Sequence, residues 1–212
     1  LEILFPATGA PGVLEKTLDR ICRYSEDAID EGYSIIILSD LNSNPGHAAI
    51  PSVLAAAAVH HYLIRAGKRG KADIVMEVGD VREVHHFATI LGYGASAVNP
   101  YMALDTIRQM EKDDLLNGIS SDKAIQNYIK SVNSGLLKIF SKMGISTLAS
   151  YQGAQIFEIV GINSAVVKKY FTGTVSRIEG LSLDDIATET LQKHRKGYPT
   201  RGGVQKVLDP GG

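Results

Sequence analysis

The chain has 212 residues, 44% of them apolar, enough to bury one ordinary core without disulfide or metal staples. Its 22 basic and 23 acidic side chains leave a formal charge of -1 with no long like-charge block, which excludes a nucleic-acid or anionic-lipid surface built on bulk charge. A single cysteine, Cys22, excludes an internal disulfide and any site that needs three or four thiolates.

The opening LEILFPATGA lacks the basic start and the apolar length of a secretory signal, and no run of about 18 apolar residues follows it. A first residue Leu1 rather than Met reads as a piece of something longer, and the lone cysteine makes the cytoplasm the default setting. Residues 34 to 39, SIIILS, form a continuous apolar run of strand length closed by Asp40. Apolar residues then recur at helical spacing between Pro51, suited to a first turn, and Gly67, suited to a stop. The basic residues Arg65, Lys68, Arg69 and Lys71 fall between that helix and the next strand, and read as a solvated loop.

The second unit repeats the plan. ADIVMEV is a strand, Asp80 and Glu83 read as an acidic variant of a capping box, and Val81, Val84, Ala88 and Leu91 make a helical stripe. A third unit follows in GASAVNP, a short strand ended by Pro100, with YMALDTIRQMEK as its helix. Residues 113 to 121 break the pattern, after which Ile125, Ile129, Val132, Leu136, Ile139 and Met143 predict a long helix over 122 to 143. Gly144 then turns the chain in a conformation open mainly to glycine. ISTL is expected as a fourth strand, QGAQIFEIV as a short helix and SAVVKKYF as another, before a final helix N-capped by Ser182. Residues 199 to 212, rich in Gly and Pro, read as a linker toward a following domain.

Strands that are apolar throughout and separated by helices define an α/β chain of four or so parallel β/α units, as a half-barrel or a small open sheet covered by helices. Ligands in such folds sit beyond the carboxyl ends of the strands. Those ends carry Asp40, Asn42 and Ser43, then Glu77 and Asp80, then Asn99, then Ser146 and Thr147, with Lys142, Gln152 and Gln155 close by in sequence. Asp40, Glu77, Lys142, Ser146 and Thr147 are thus the rim candidates for chemistry. The same residue types cap helices and shape turns, and a Lys at a helix end is favoured by the dipole. His60-His61 and His85-His86 each project about 100° apart on a helix, so each pair offers at most one ligand and no metal site is expected. The glycines complete neither dinucleotide nor P-loop spacing, and no G-x-S-x-G elbow occurs.

The strings IPSVLAAAAVHHYLIRAG, EVGDVREVHHFATILGYGASAVNPY, NYIKSVNSGLLKIFSKMGISTLASYQGAQIFEIVG and KKYFTGTVSRIEGLSLDDIA closely resemble the glutamate synthase large subunit. The likeness covers roughly residues 1 to 199 and falls in the latter part of the central domain, between the glutaminase and FMN-binding domains. It implies a parent enzyme with FMN and a 3Fe-4S cluster, which hydrolyses glutamine, passes ammonia through the protein to 2-oxoglutarate and reduces the imine to glutamate. It also implies partners: those two flanking domains, with a small electron-transfer subunit or ferredoxin, in the cytoplasm or a plastid. Little carries over residue by residue, since the nucleophilic cysteine that begins the mature subunit is not in this stretch, which opens with Leu1, and Cys22 has no cluster companions. The expectation is that residues 1 to 198 form a central-domain spacer with no catalytic, cofactor or metal residues of its own. Two alternatives stand beside it. One is a stand-alone β/α enzyme or binding domain holding a small anion near Ser146, Thr147 and Lys142, with Glu77 or Asp40 as acid-base partner. The other is a non-catalytic interaction module that dimerises through open edges.

Overall fold

A computed structural model of the chain describes residues 1–199. The expected linker at 199 to 212 therefore lies almost wholly outside the described residues. Strands β1 (Leu4–Pro6), β2 (Ile35–Ser39), β3 (His47–Ala49), β4 (Asp73–Glu77) and β5 (Ala97–Asn99) alternate with helices α1 (Val13–Asp30), α2 (Ser52–Arg65), α3 (Val84–Gly92) and α4 (Tyr101–Lys112). Beyond them come α5 (Ser121–Met143), α6 (Leu148–Gln152), β6 (Glu158–Ile162), α7 (Ser164–Tyr170), β7 (Val175–Leu181) and α8 (Leu183–Gly197).

The centre is an open parallel sheet in the order β2-β4-β5, with Ile36 opposite Ile74 and Met76 opposite Val98. Ile36, Leu38, Ile74 and Met76 all point to one face and are buried. That side meets α2, whose Ala55, Ala56, Ala57 and Ala58 are buried as well; their single methyl groups let the helix lie close to β4. Ile35 and Ile37 point to the opposite face and stay 58% and 49% exposed. The three predicted β/α units therefore stand, and of the two expected architectures the open sheet replaces the half-barrel.

The long helix spans Ser121–Met143, starting with Ser120 accepting from the Lys123 amide and ending at Gly144 with φ 71°, the left-handed turn expected of that glycine. Gly135 packs tightly against α3, since an added Cβ would sit 2.7 Å from either methyl of Val84. The final helix also holds: Ser182 and Asp185 form a reciprocal capping box.

Two expectations fail locally. Ile145–Leu148 is not a fourth strand, because Thr147 accepts from the Ser150 amide and so opens α6 instead. The strand lies downstream, at Glu158–Ile162, overlapping the end of the stretch read as a short helix, and it pairs in parallel with β7 as a separate two-stranded sheet. Short apolar runs are ambiguous by periodicity, and here Ile159, Val160 and Ile162 with Gly161 at φ 77° suit a bulged strand better than a helix. The capping box at α3 is likewise re-partnered. Glu83 is the N-cap and His86 completes the box, while Asp80 accepts from the Ser52 amide at the start of α2.

Candidate functional site

The carboxyl ends of β2, β4 and β5 bring together Asp40, Glu77 and Asn99. Asp40 is buried, and both its oxygens accept from the Gly79 amide at 3.1 Å while Oδ1 also accepts from the Tyr101 hydroxyl at 2.8 Å. Burial raises the Asp40 carboxyl above its ordinary range, and the two hydrogen bonds work against that rise. Burial, and then the bond to Asp40, push the Tyr101 hydroxyl up in turn. Glu77 accepts from Ser39 Oγ at 2.6 Å and from Asn99 Nδ2 at 3.3 Å. These carboxylates thus tie the loops that leave the sheet to one another.

Lys142, Ser146 and Thr147 do not join them. Near its start, α5 is anchored by Tyr128, which donates to the Arg82 carbonyl in the loop after β4. Past its end, the Gln152 amide donates to the Ala95 carbonyl at 2.8 Å and to Ser96 Oγ at 3.3 Å, at the amino end of β5. The helix therefore runs against the strand direction and leaves Lys142, Ser146 and Thr147 exposed at the end of the sheet opposite Asp40 and Glu77.

A second cluster surrounds Arg69. Its Nε donates to His60 Nδ1 at 2.9 Å, Nη1 to the Ala72 carbonyl at 2.6 Å and Nη2 to the Gly94 carbonyl at 2.7 Å. Beside it lies a cavity of about 210 Å³, where His60 and His61 meet Gln152, Gln155, Tyr93 and Thr174. Gln152 and Gln155, which the sequence placed near the rim, thus share this cavity rather than the sheet's carboxyl end. The histidine pair and Arg69 carried no sequence signal of a joint role beyond adjacency. Burial first, and the Arg69 charge second, push the His60 imidazole down to about 3. Of the other pair, His85 is exposed, and His86 Nδ1 accepts from the Arg82 and Glu83 amides.

The His60 shift has a measurable sign. Its folded value lies below that of a free imidazole, near 6.5, so between about 6.5 and 3 the unfolded chain binds the extra proton. Stability from this residue is full above that window and is lost as pH falls through it, by about 1.4 kcal/mol per pH unit at full slope. Urea midpoints from pH 7.5 to 4.5 should show the gap between the parent chain and His60→Gln narrowing with acid. A constant gap would contradict the shift.

The described residues do not fit the cofactors implied by the resemblance. The Cys22 thiol is buried and pushed up to about 12, chiefly by burial, the reverse of a cluster-ligating thiolate. The carboxyl end of the sheet, where a flavin phosphate would look for free amides, presents Asp40, Glu77 and Asp80, and the Ser52 amide is already taken by Asp80. Among the described residues no three His, Cys, Asp or Glu are grouped to hold a metal ion, and no helix is long and apolar enough to cross a membrane.

Fold and clusters together define an open-sheet α/β domain whose acidic groups at the sheet's carboxyl end secure its loops. Residues 1–163 match the family described as glutamate synthase central domain, and the chain belongs to that family. It is 43% identical over 207 residues to the NADH glutamate synthase of Schizosaccharomyces pombe, covering 97% of this chain and 10% of that protein. It is 46% identical over 198 residues to the large chain of the NADPH glutamate synthase of Bacillus subtilis, covering 93% of this chain and 13% of that one. Against ferredoxin-dependent glutamate synthase 1 of Arabidopsis thaliana, identity is 46% over 201 residues, covering 90% and 12%. The chain thus spans 10 to 13% of the length of these relatives.

Proposed function

We propose that this chain is a rigid, non-catalytic connecting part of a glutamate synthase. In the whole enzyme, glutamine-derived ammonia would join 2-oxoglutarate and be reduced to glutamate by FMN and iron–sulfur groups carried in neighbouring domains. The observation that carries the reading is the separation of the five polar side chains that could do chemistry. Asp40 and Glu77 are engaged in loop hydrogen bonds at one end of the sheet, and Lys142, Ser146 and Thr147 lie exposed at the other. Acid-base chemistry needs such groups converged within hydrogen-bond reach of one substrate.

A spacer also needs faces for its neighbours. Tyr33, Ile35 and Ile37 lie 61%, 58% and 49% exposed along and beside the uncovered face of β2, an apolar surface suited to the glutaminase or FMN-binding domain. Relatives named for NADH, NADPH and ferredoxin are 43%, 46% and 46% identical to this chain, which supports a role common to all three and apart from the choice of electron donor. The physical value of such a part is distance. Ammonia released to water is diluted, whereas centres held at a set separation around a closed path keep its effective concentration high. A cytoplasmic or plastid setting accords with this reading.

In the whole enzyme, Lys142→Ala combined with Ser146→Ala should leave glutamine hydrolysis and glutamate formation within twofold. Ile37→Lys should lower the ratio of glutamate formed to glutamine hydrolysed, while changing the stability of the isolated chain by no more than about 1 kcal/mol. A hundredfold loss of either half-reaction in the first variant would overturn the reading.

A further inference from the structure

We propose that the cavity beside Arg69 binds a small carboxylate. Its wall is made by side chains that occupy space ceded by glycines. A Cβ on Gly94 would lie 2.8 Å from His60 Cβ, one on Gly173 would lie 2.9 Å from Gln155 Cδ, and one on Gly92 would lie 2.6 Å from Phe157 Cε2. Gln155 itself holds φ 49°, a left-handed backbone that non-glycine residues seldom adopt.

The donors around the cavity are not all committed. Arg69 can only donate, so His60 Nδ1 is its acceptor, and the ring's proton must sit on Nε2. Tyr93 and Thr174 share one hydrogen bond at 3.0 Å between two hydroxyls, which leaves one O–H over. The Gln155 amide has no protein partner among the described residues. These residues all line the one cavity, Gln155 on its exposed side, so an imidazole N–H, an amide NH2 and a hydroxyl belong to its lining.

Charge selects the ligand. None of the described residues lining the cavity is Asp or Glu. Two cations stand one layer back, Arg69 behind His60 and Arg65, whose Nη1 reaches Thr172 Oγ1 at 3.5 Å, against one carboxylate, Asp73, that acts on Arg69. Neutral donors in a positive field suit a monoanion, and flat amide and imidazole donors suit a planar one. A phosphate dianion would call for a cation in direct contact. About 210 Å³, some seven waters at roughly 30 Å³ each, suits an acid of a few carbon atoms.

The test is a titration of the 212-residue chain with sodium acetate at constant ionic strength, read on the His60 ring nitrogens and the Gln155 side-chain amide by ¹⁵N-resolved NMR. Both signals should move with one saturating midpoint, and Gln155→Leu should raise that midpoint at least fivefold. Thr174→Val serves as the second variant and should do the same. Sodium phosphate at equal concentration should not displace acetate. A non-saturating response, the same response with chloride, or an unchanged midpoint in both variants would overturn the site, and equal binding of phosphate would overturn the ligand class.

Discussion

Gly180→Ala is expected to lower the unfolding free energy by about 3 kcal/mol or more, a large loss for one methyl group. Gly180 lies in β7 directly against β6, where its missing side chain would meet main chain. An added Cβ would sit 2.8 Å from Gly161 Cα, and closer still to the Gly161 carbonyl oxygen. A side chain in the way can change rotamer; a paired backbone can yield only by opening the strands. β6 and β7 pair through two register shifts, between Ile159 and Val160 and between Val160 and Ile162, so the ladder has little regular pairing to absorb a displacement. The bond from the Asn163 amide to the Leu181 carbonyl, 2.9 Å, closes this end of the pair just before Asn163 caps α7 and Ser182 caps α8. Urea melts should show the shift, and amide exchange at Asn163 should accelerate. Gly153→Ala is the control: its Cβ would meet nothing within 4 Å, so it should stay within about 0.5 kcal/mol. Equal effects of the two substitutions would remove the close approach as the cause.

The elements that sequence made legible are those with long, one-sided periodicity. The stripe from Ile125 to Met143 became α5, and SIIILS and ADIVMEV became neighbouring parallel strands. What stayed hidden was decided by contacts outside the window. Thr147 and Ser150 turned ISTL into a helix start through a side-chain bond, and IFEIVGI became a strand because β7, some 15 residues later, supplied a partner. The loops showed a similar limit. Asp40, Glu77 and Asn99 were placed together by the rule of strand carboxyl ends, but pairing Lys142, Ser146 and Thr147 with them depended on the strand that did not form. The Arg69 cluster was harder still, because its members come from α2, the turn before β4, the end of α3 and the segments after α6 and α7; only the fold makes them neighbours.

Gly94→Ala should be as damaging, about 4 kcal/mol or more, and for two separable reasons. Gly94 has φ 109°, beyond the small left-handed region that other residues enter, which by itself costs on the order of 1–3 kcal/mol. The added Cβ would also collide with the His60 ring, as well as lying 2.8 Å from His60 Cβ, in the place where Arg69 holds the imidazole. Displacing His60 removes one of the three acceptors that satisfy the half-buried guanidinium and strains a second, since the Gly94 carbonyl is itself an acceptor of Arg69. Breaking such a network is among the few ways a single substitution reaches this size. A double-mutant cycle separates the two contributions. With His60→Gly the collision with both ring and Cβ disappears, so Gly94→Ala in that background should cost only its backbone share, giving a coupling of about 2 kcal/mol between the residues. Strict additivity in urea melts would mean that the loss comes from the backbone alone and that His60 is not held where the cavity needs it.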